Sequence, residues 1–151
     1  MSDAGELRIG EAAARVGVSS RTLRYYEELG LLTPSGRTPG GARRYTDDDI
    51  ARLEHIRELQ ELMGFNLDEI LAVLRIEDRL AKLRAEWQAG RPPEERRAEM
   101  IEEALRHNAD LRARVEAKIA RLGAFLDSLD EKRERYRRAQ REMDALVPSA
   151  Q

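Results

Sequence analysis

From the amino terminus the chain alternates short apolar stripes with glycine and proline breaks. Leu7, Arg8 and Ile9 make a short extended lead-in. Over 10–16, Ala12, Ala13 and Val16 fall on one face of a short helix. Gly17 ends it, and Ser19 offers a capping hydroxyl to a second helix. Leu23, Tyr26 and Leu29 recur at three-residue spacing and should face the first helix; Gly30 stops the run. Helix, glycine turn, helix is the helix-turn-helix pattern.

Residues 33–45 hold Pro34, Gly36, Pro39, Gly40 and Gly41, a density of breakers that argues against helix. With Leu31 and Leu32 before it and Arg43, Arg44 and Tyr45 after it, the segment reads as a β-hairpin, or wing. Thr46 caps a third helix, whose first turn holds Asp47, Asp48 and Asp49, where the helix dipole favours negative charge. Its apolar stripe is Ile50, Leu53, Ile56, Leu59 and Met63, and Gly64 ends it. Asn66 with Glu69 resembles a capping box for a fourth helix that buries Leu67, Ile70, Leu71 and Leu74. Residues 1–75 thus read as a compact unit with one small core.

Residues 76–92 read as a linker or short helix, with Leu80, Leu83 and Trp87 at helical spacing and a break at 89–93. From there to Leu146 the chain has no proline and a single glycine, Gly123, and Pro93 suits a helix start. The segment 93–147 predicts one long helix spanning roughly 80 Å at 1.5 Å per residue. Its heptad seam is strongest over Val115, Ile119, Leu122, Leu126 and Leu129 and frays on both sides, at Arg112 and at Arg133, beyond which the seam positions are Tyr136, Gln140 and Met143. A monomer of this size has nothing that long to set against the seam. A partner helix is required, and a second copy of the chain is the simplest one. The fold class is therefore all-α with a small β wing: a winged helix-turn-helix domain followed by a long dimerisation helix.

The bulk charge adds little, because 27 basic and 29 acidic residues leave a net of −2. The local charge adds more. Residues 15–45 hold six arginines against Glu27 and Glu28, a net of +4, and a basic face concentrates phosphate even on an acidic protein. There is no cysteine, so disulfides and thiolate sensing are excluded. Without an apolar run of membrane-spanning length or a signal segment at the start of the chain, a soluble cytoplasmic protein is expected.

Residues 20–26, Ser-Arg-Thr-Leu-Arg-Tyr-Tyr, place guanidinium groups, hydroxyls and a phenol within one and a half helical turns. Phosphates and base edges accept hydrogen bonds from such groups, so the stretch reads as a DNA reader rather than a catalyst. Several blocks, in order and spacing, resemble the MerR family of bacterial transcription regulators: Leu-Arg-Ile-Gly-Glu-Ala-Ala at 7–13, Val-Ser-Ser-Arg-Thr-Leu-Arg-Tyr-Tyr-Glu at 18–27, Gly-Leu-Leu at 30–32, Arg-Arg-Tyr at 43–45 and Met-Gly-Phe-Asn-Leu-Asp-Glu-Ile at 63–70. The resemblance covers about half the chain. It implies a dimer held by an antiparallel coiled coil of the long helices and seated on an inverted repeat of double-stranded promoter DNA. Control would run through distortion of the promoter so that RNA polymerase engages it, or through occlusion. Metal- and redox-sensing members use cysteines and multidrug-sensing members a separate ligand domain; here charged helix fills that place, and no effector is indicated.

The expected DNA-contacting set is Ser20, Arg21, Thr22, Arg24, Tyr25, Tyr26, Arg37, Arg43, Arg44 and Tyr45. Arg21, Arg24 and Tyr25 lie opposite the apolar side of their helix; the bland alternative is a solvated charged face. Ser20 and Thr22 either touch phosphate or only support the helix start. Tyr26 reads as core with a polar tip, and Tyr45 as core or wing anchor more than direct contact. Alternation along a strand should split Arg43 and Arg44, one to phosphate and one tying the wing to the helices. The expected dimerisation set is Val115, Ile119, Leu122, Leu126, Leu129 and Tyr136, with Phe125 in or beside the seam. His55 and His107 lack a nearby ligand set in sequence, so no metal or cofactor is expected, and no catalytic constellation stands out. Trp87 is expected to pack residues 76–91 onto the core or the long helix rather than to line an effector pocket. Two further readings stay open: an architectural DNA-binding protein without an effector, and a coiled-coil module that recruits a protein partner.

Overall fold

The structure, a computed structural model, describes residues 6–147. These divide into two units, before and after the step from Arg91 to Pro92. In the first, β1 (Leu7–Arg8) leads into α1 (Ile9–Val16), and α2 (Ser20–Glu28) follows a tight turn. Strands β2 (Gly36–Arg37) and β3 (Arg43–Tyr45) come next, then α3 (Asp47–Glu61) and α4 (Leu67–Ala89). The three strands form an antiparallel sheet in the order β1-β3-β2. The lead-in strand is therefore part of the wing, not a separate tail.

Local chemistry explains the helix ends. The Ser19 hydroxyl accepts from the Thr22 N–H, Thr46 from that of Asp49, and Asn66 from that of Glu69, so each helix start satisfies an otherwise orphaned donor. The α1 end is a paired reversal: Val18 N–H donates to Ala13 O at 2.9 Å and Gly17 N–H to Ala14 O at 3.2 Å. That geometry needs a left-handed residue, and Gly17 supplies it at φ 75. The guanidinium of Arg57 on α3 donates to Val16 O on the same turn. Any Cβ on Gly17 would stand 2.8 Å from its Nη1, so the helix-turn-helix turn is closed by a side chain 41 residues downstream.

The core of this unit gathers Ala12, Ala13 and Val16 from α1 with Leu23 and Tyr26 from α2 and Ile50, Leu53, Ile56 and Leu59 from α3. Ile70 and Leu74 join it from α4, with Leu31, Leu32 and Tyr45 from the connecting segments. The expected stripes hold with three changes. Met63 lies past the end of α3 and is exposed. Leu67 and Leu71 are half-buried. Phe65 and Val73 are buried instead. Gly64, at φ 64, turns the chain so that Phe65 N–H reaches Leu59 O at 3.0 Å. Helix α4 runs unbroken across residue 75, where the sequence pattern closed the first unit, and continues for 23 residues to Ala89. Trp87, expected to pack inward, keeps 43% of its surface exposed.

The second unit is one helix, α5 (Glu94–Leu146), of 53 residues after Pro93. Its seam residues Val115, Ile119, Leu122, Leu126, Leu129 and Tyr136 are all exposed, as is Phe125. No helix among the described residues is long and apolar enough to cross a membrane.

Candidate nucleic-acid interface

Helix α2 presents two faces. Leu23 and Tyr26 point inward and are buried, whereas Arg21, Arg24 and Tyr25 are exposed. With Thr22 and Glu28 the outward three line a shallow hollow of about 520 Å³. No hydrogen bond or ion pair within the described residues occupies Arg21 or Arg24. Both guanidinium groups are thus available to an external acceptor. The hydroxyl of Thr22 lies 2.9 Å from Ser19 Oγ, so Thr22 supports the helix start.

Tyr26, counted among the DNA-contacting residues, is only 5% exposed, and its hydroxyl donates to Gln60 Oε1 at 3.2 Å. Burial raises its phenol pKa; Arg57 opposes the rise and Glu61 adds to it. Tyr45, from the same set, is wholly buried. Its hydroxyl donates to Glu27 Oε1, and burial, followed by that hydrogen bond, pushes its phenol pKa well above the ordinary value. Both rings are packed into the fold, and both hydroxyls are engaged within it.

The wing is joined to α2 by a carboxylate that the sequence pattern did not single out. Glu27 accepts from Arg43 Nε as well as from Tyr45 OH, and its side chain is 9% exposed. Arg43 and Tyr45 are two apart on β3 and share a face, so a single acid on α2 holds both. A second acid, Asp49, fixes the foot of the wing. It is buried and accepts from Ser35 N–H at 3.1 Å, Ser35 Oγ at 2.8 Å and Thr46 N–H at 2.9 Å. At the tip, Gly41 N–H closes a turn on Thr38 O at 2.8 Å, with Gly41 at φ 82, and exposed Arg37 donates to Gly41 O at 3.2 Å.

Arg44 faces the other way from Arg43. Its Nε is buried with no hydrogen-bond partner. Opposite it across the β1–β3 ladder stands Arg8, an exposed residue absent from the expected set. A trough of about 500 Å³ is lined by Arg8, Arg24, Thr38, Arg43 and Arg44 among others. Only the register of β1 on β3 brings Arg8 there; the sole hint in sequence was an arginine in an extended lead-in.

Two more arginines hold the frame. Arg52 on α3 donates through Nε to Leu31 O at 2.6 Å and forks onto the Asp78 carboxylate of α4 at 2.6 and 3.0 Å. Arg57 joins α3 to the α1–α2 turn, as above. His55 sits 2.9 Å from Glu77 and 3.7 Å from Glu58, an α3–α4 link. Among the described residues no cluster of three or more His, Cys, Asp or Glu is placed to hold a metal ion.

Residues 7–76 match the MerR HTH family regulatory protein model. The chain is 33% identical over 125 residues to the HTH-type transcriptional regulator YfmP of Bacillus subtilis (strain 168), covering 82% of this chain and 87% of that one. It is 46% identical over 74 residues to the mercuric resistance operon regulatory protein of Bacillus cereus, covering 49% of this chain and 55% of that relative. Among solved structures it resembles HiNmlR, a MerR family regulator lacking the sensor domain, bound to promoter DNA. There the identity is 30%, the TM-score 0.52 and the coverage 89% of this chain and 93% of the other. The chain therefore belongs to the MerR family and is a DNA-binding transcription regulator.

Proposed function

We propose that this regulator works as a homodimer on an inverted-repeat promoter site, with α2 of each protomer in the major groove and the wing against the flanking backbone. The observation that carries the reading is the outward row of Arg21, Arg24 and Tyr25 on α2, unengaged and beside a wing that Glu27 and Asp49 hold in place. An arginine there matches the O6/N7 edge of guanine or a phosphate, and a phenol reaches phosphate. The 53-residue α5, with its seam exposed, supports pairing with a second copy in an antiparallel coiled coil. Distortion of the promoter for RNA polymerase, or its occlusion, then follows from the spacing of the bound promoter elements: a long spacer goes with activation, overlap with a normal promoter with repression.

Roughly 6–10 phosphate contacts across such a dimer make binding fall steeply with salt. Arg24→Ala should weaken binding to the duplex that the wild type selects from a random pool, while leaving the circular dichroism spectrum unchanged. Equal affinity would count against the major-groove role. Leu122→Asp should convert a dimer to a monomer by light scattering; a monomeric wild type would end the coiled-coil reading.

A further inference from the structure

We propose that Arg8 and Arg44 form the seat for a single backbone phosphate of the bound duplex. The strand before the first helix then becomes a third DNA-contacting element beside α2 and the wing. This inference rests on the DNA-binding mode proposed above.

Three features converge on it. Arg8 and Arg44 are direct partners in the antiparallel register of β1 on β3, so their side chains leave the same face of the sheet. Like charges directly opposite each other repel, and an anion between them removes the repulsion. The second feature is the unengaged guanidinium: Arg44 makes no ion pair within the described residues, and its buried Nε has no partner in the fold. Its other ladder neighbour is Gly36, where a Cβ would come within 3.3 Å of Arg44 Cβ and 3.3 Å of Glu6 Oε1. The missing side chain leaves Arg44 its room. Glu6 is the nearby acid, yet no ion pair forms between it and Arg44. The third feature is the trough itself, lined also by Arg24 and Thr38, which supply further donors. Arg43 lines it too but is already committed to Glu27.

The occupant is defined by this chemistry. A guanidinium presents a planar fork that suits two oxygens of one anionic group, and a phosphodiester offers two free oxygens and one charge. Two guanidinium groups side by side carry a doubled positive charge, which matches an anionic phosphodiester better than the uncharged edge of a base. The seat should therefore contribute affinity without sequence preference.

The test titrates full-length protein against the selected duplex by fluorescence anisotropy at several KCl concentrations. Arg8→Gln, Arg44→Gln and the double variant are compared with the wild type and with Arg24→Ala. Each single variant should weaken binding roughly tenfold or more, equally on selected and scrambled duplexes, and flatten the salt dependence by about 0.9 per phosphate lost. The double variant should lose little more than either single one, since both arginines serve one phosphate. A duplex with one neutral methylphosphonate at the seat should bind the wild type and Arg44→Gln alike. Arg8 is exposed, so Arg8→Gln stays informative even where Arg44→Gln fails to fold. Unchanged affinity and salt slope in Arg8→Gln would overturn the seat while a loss in Arg24→Ala leaves the DNA-binding mode standing. Loss in neither would sink that mode itself. Displacement of the duplex by millimolar inorganic phosphate beyond the effect of KCl at equal ionic strength would assign the seat to free phosphate and overturn the proposal.

Discussion

Glu27→Ala removes the carboxylate that ties Arg43 and Tyr45 of the wing to α2, and the structure sets the size of the effect. The Tyr45 hydroxyl loses its acceptor at a site with no exposed surface; leaving such a donor unsatisfied costs about 1–3 kcal/mol. Arg43 also loses its partner, but its side chain is 33% exposed, so water takes over and this share stays below about 1 kcal/mol. The expected destabilisation is about 1–4 kcal/mol. Tyr45→Phe removes the donor and leaves Glu27 paired with Arg43, which costs about 1 kcal/mol. In the double variant there is no orphaned hydroxyl. Its cost should therefore fall short of the sum of the two by about 1–2 kcal/mol, a coupling typical of residues in one network. Urea unfolding followed by circular dichroism measures all three, at one fixed protein concentration because a dimer's stability depends on it. Additivity within about 0.5 kcal/mol would refute the reasoning, since independent sites behave that way. Glu27→Ala should also weaken DNA binding more than Tyr45→Phe does, under conditions where both are fully folded, because only the first frees Arg43 and with it the wing.

The alkaline limb of stability should carry the mark of Tyr45. Its phenol pKa is raised by burial and by Glu27, so the folded state holds a proton that the unfolded chain releases from about pH 10. The stabilisation is complete below that pH and is lost as pH rises toward the raised folded value. Thermal midpoints between pH 8 and pH 11 should fall less steeply in Tyr45→Phe, with the remaining slope including Tyr26, raised in the same direction; identical slopes would contradict the assignment. Gly17→Ala and Gly30→Ala separate backbone strain from packing. Both glycines have positive φ, 75 and 78, but only at Gly17 does a Cβ meet Arg57. Each should lose about 1–2 kcal/mol to left-handed strain, and Gly17→Ala about 1 kcal/mol more for the displaced hydrogen bond to Val16 O. Equal losses in urea would mean that Arg57 does not hold the turn.

The parts of this protein written in its sequence are those whose physics is local. Ser19, Thr46 and Asn66 cap helices because a side-chain oxygen reaches an N–H two or three residues on, wherever the helix sits. Gly17 and Gly41 mark left-handed turns because glycine enters that backbone region without steric cost. The outward set of α2 follows from 3.6-residue periodicity once Leu23 and Tyr26 are placed inward. Helix α4 was harder, because residues 76–89 are polar and weakly striped, and a helix of that kind shows no clear end until Gly90.

What the sequence alone determined was therefore the order of helices and wing, the exposed row of Arg21, Arg24 and Tyr25, and the apolar seam of α5. The tertiary structure decided which charges are free and which are engaged. Glu27 meets Arg43 and Tyr45 across 16 and 18 residues, Arg52 meets Asp78 across 26, and Arg57 meets Val16 across 41. Spacing cannot announce such pairs, because any arginine of the chain satisfies the same local rules. Packing of the strands and helices chooses among them, withdrawing Arg43, Arg52 and Arg57 into the frame and leaving Arg8, Arg24 and Arg44 around one trough.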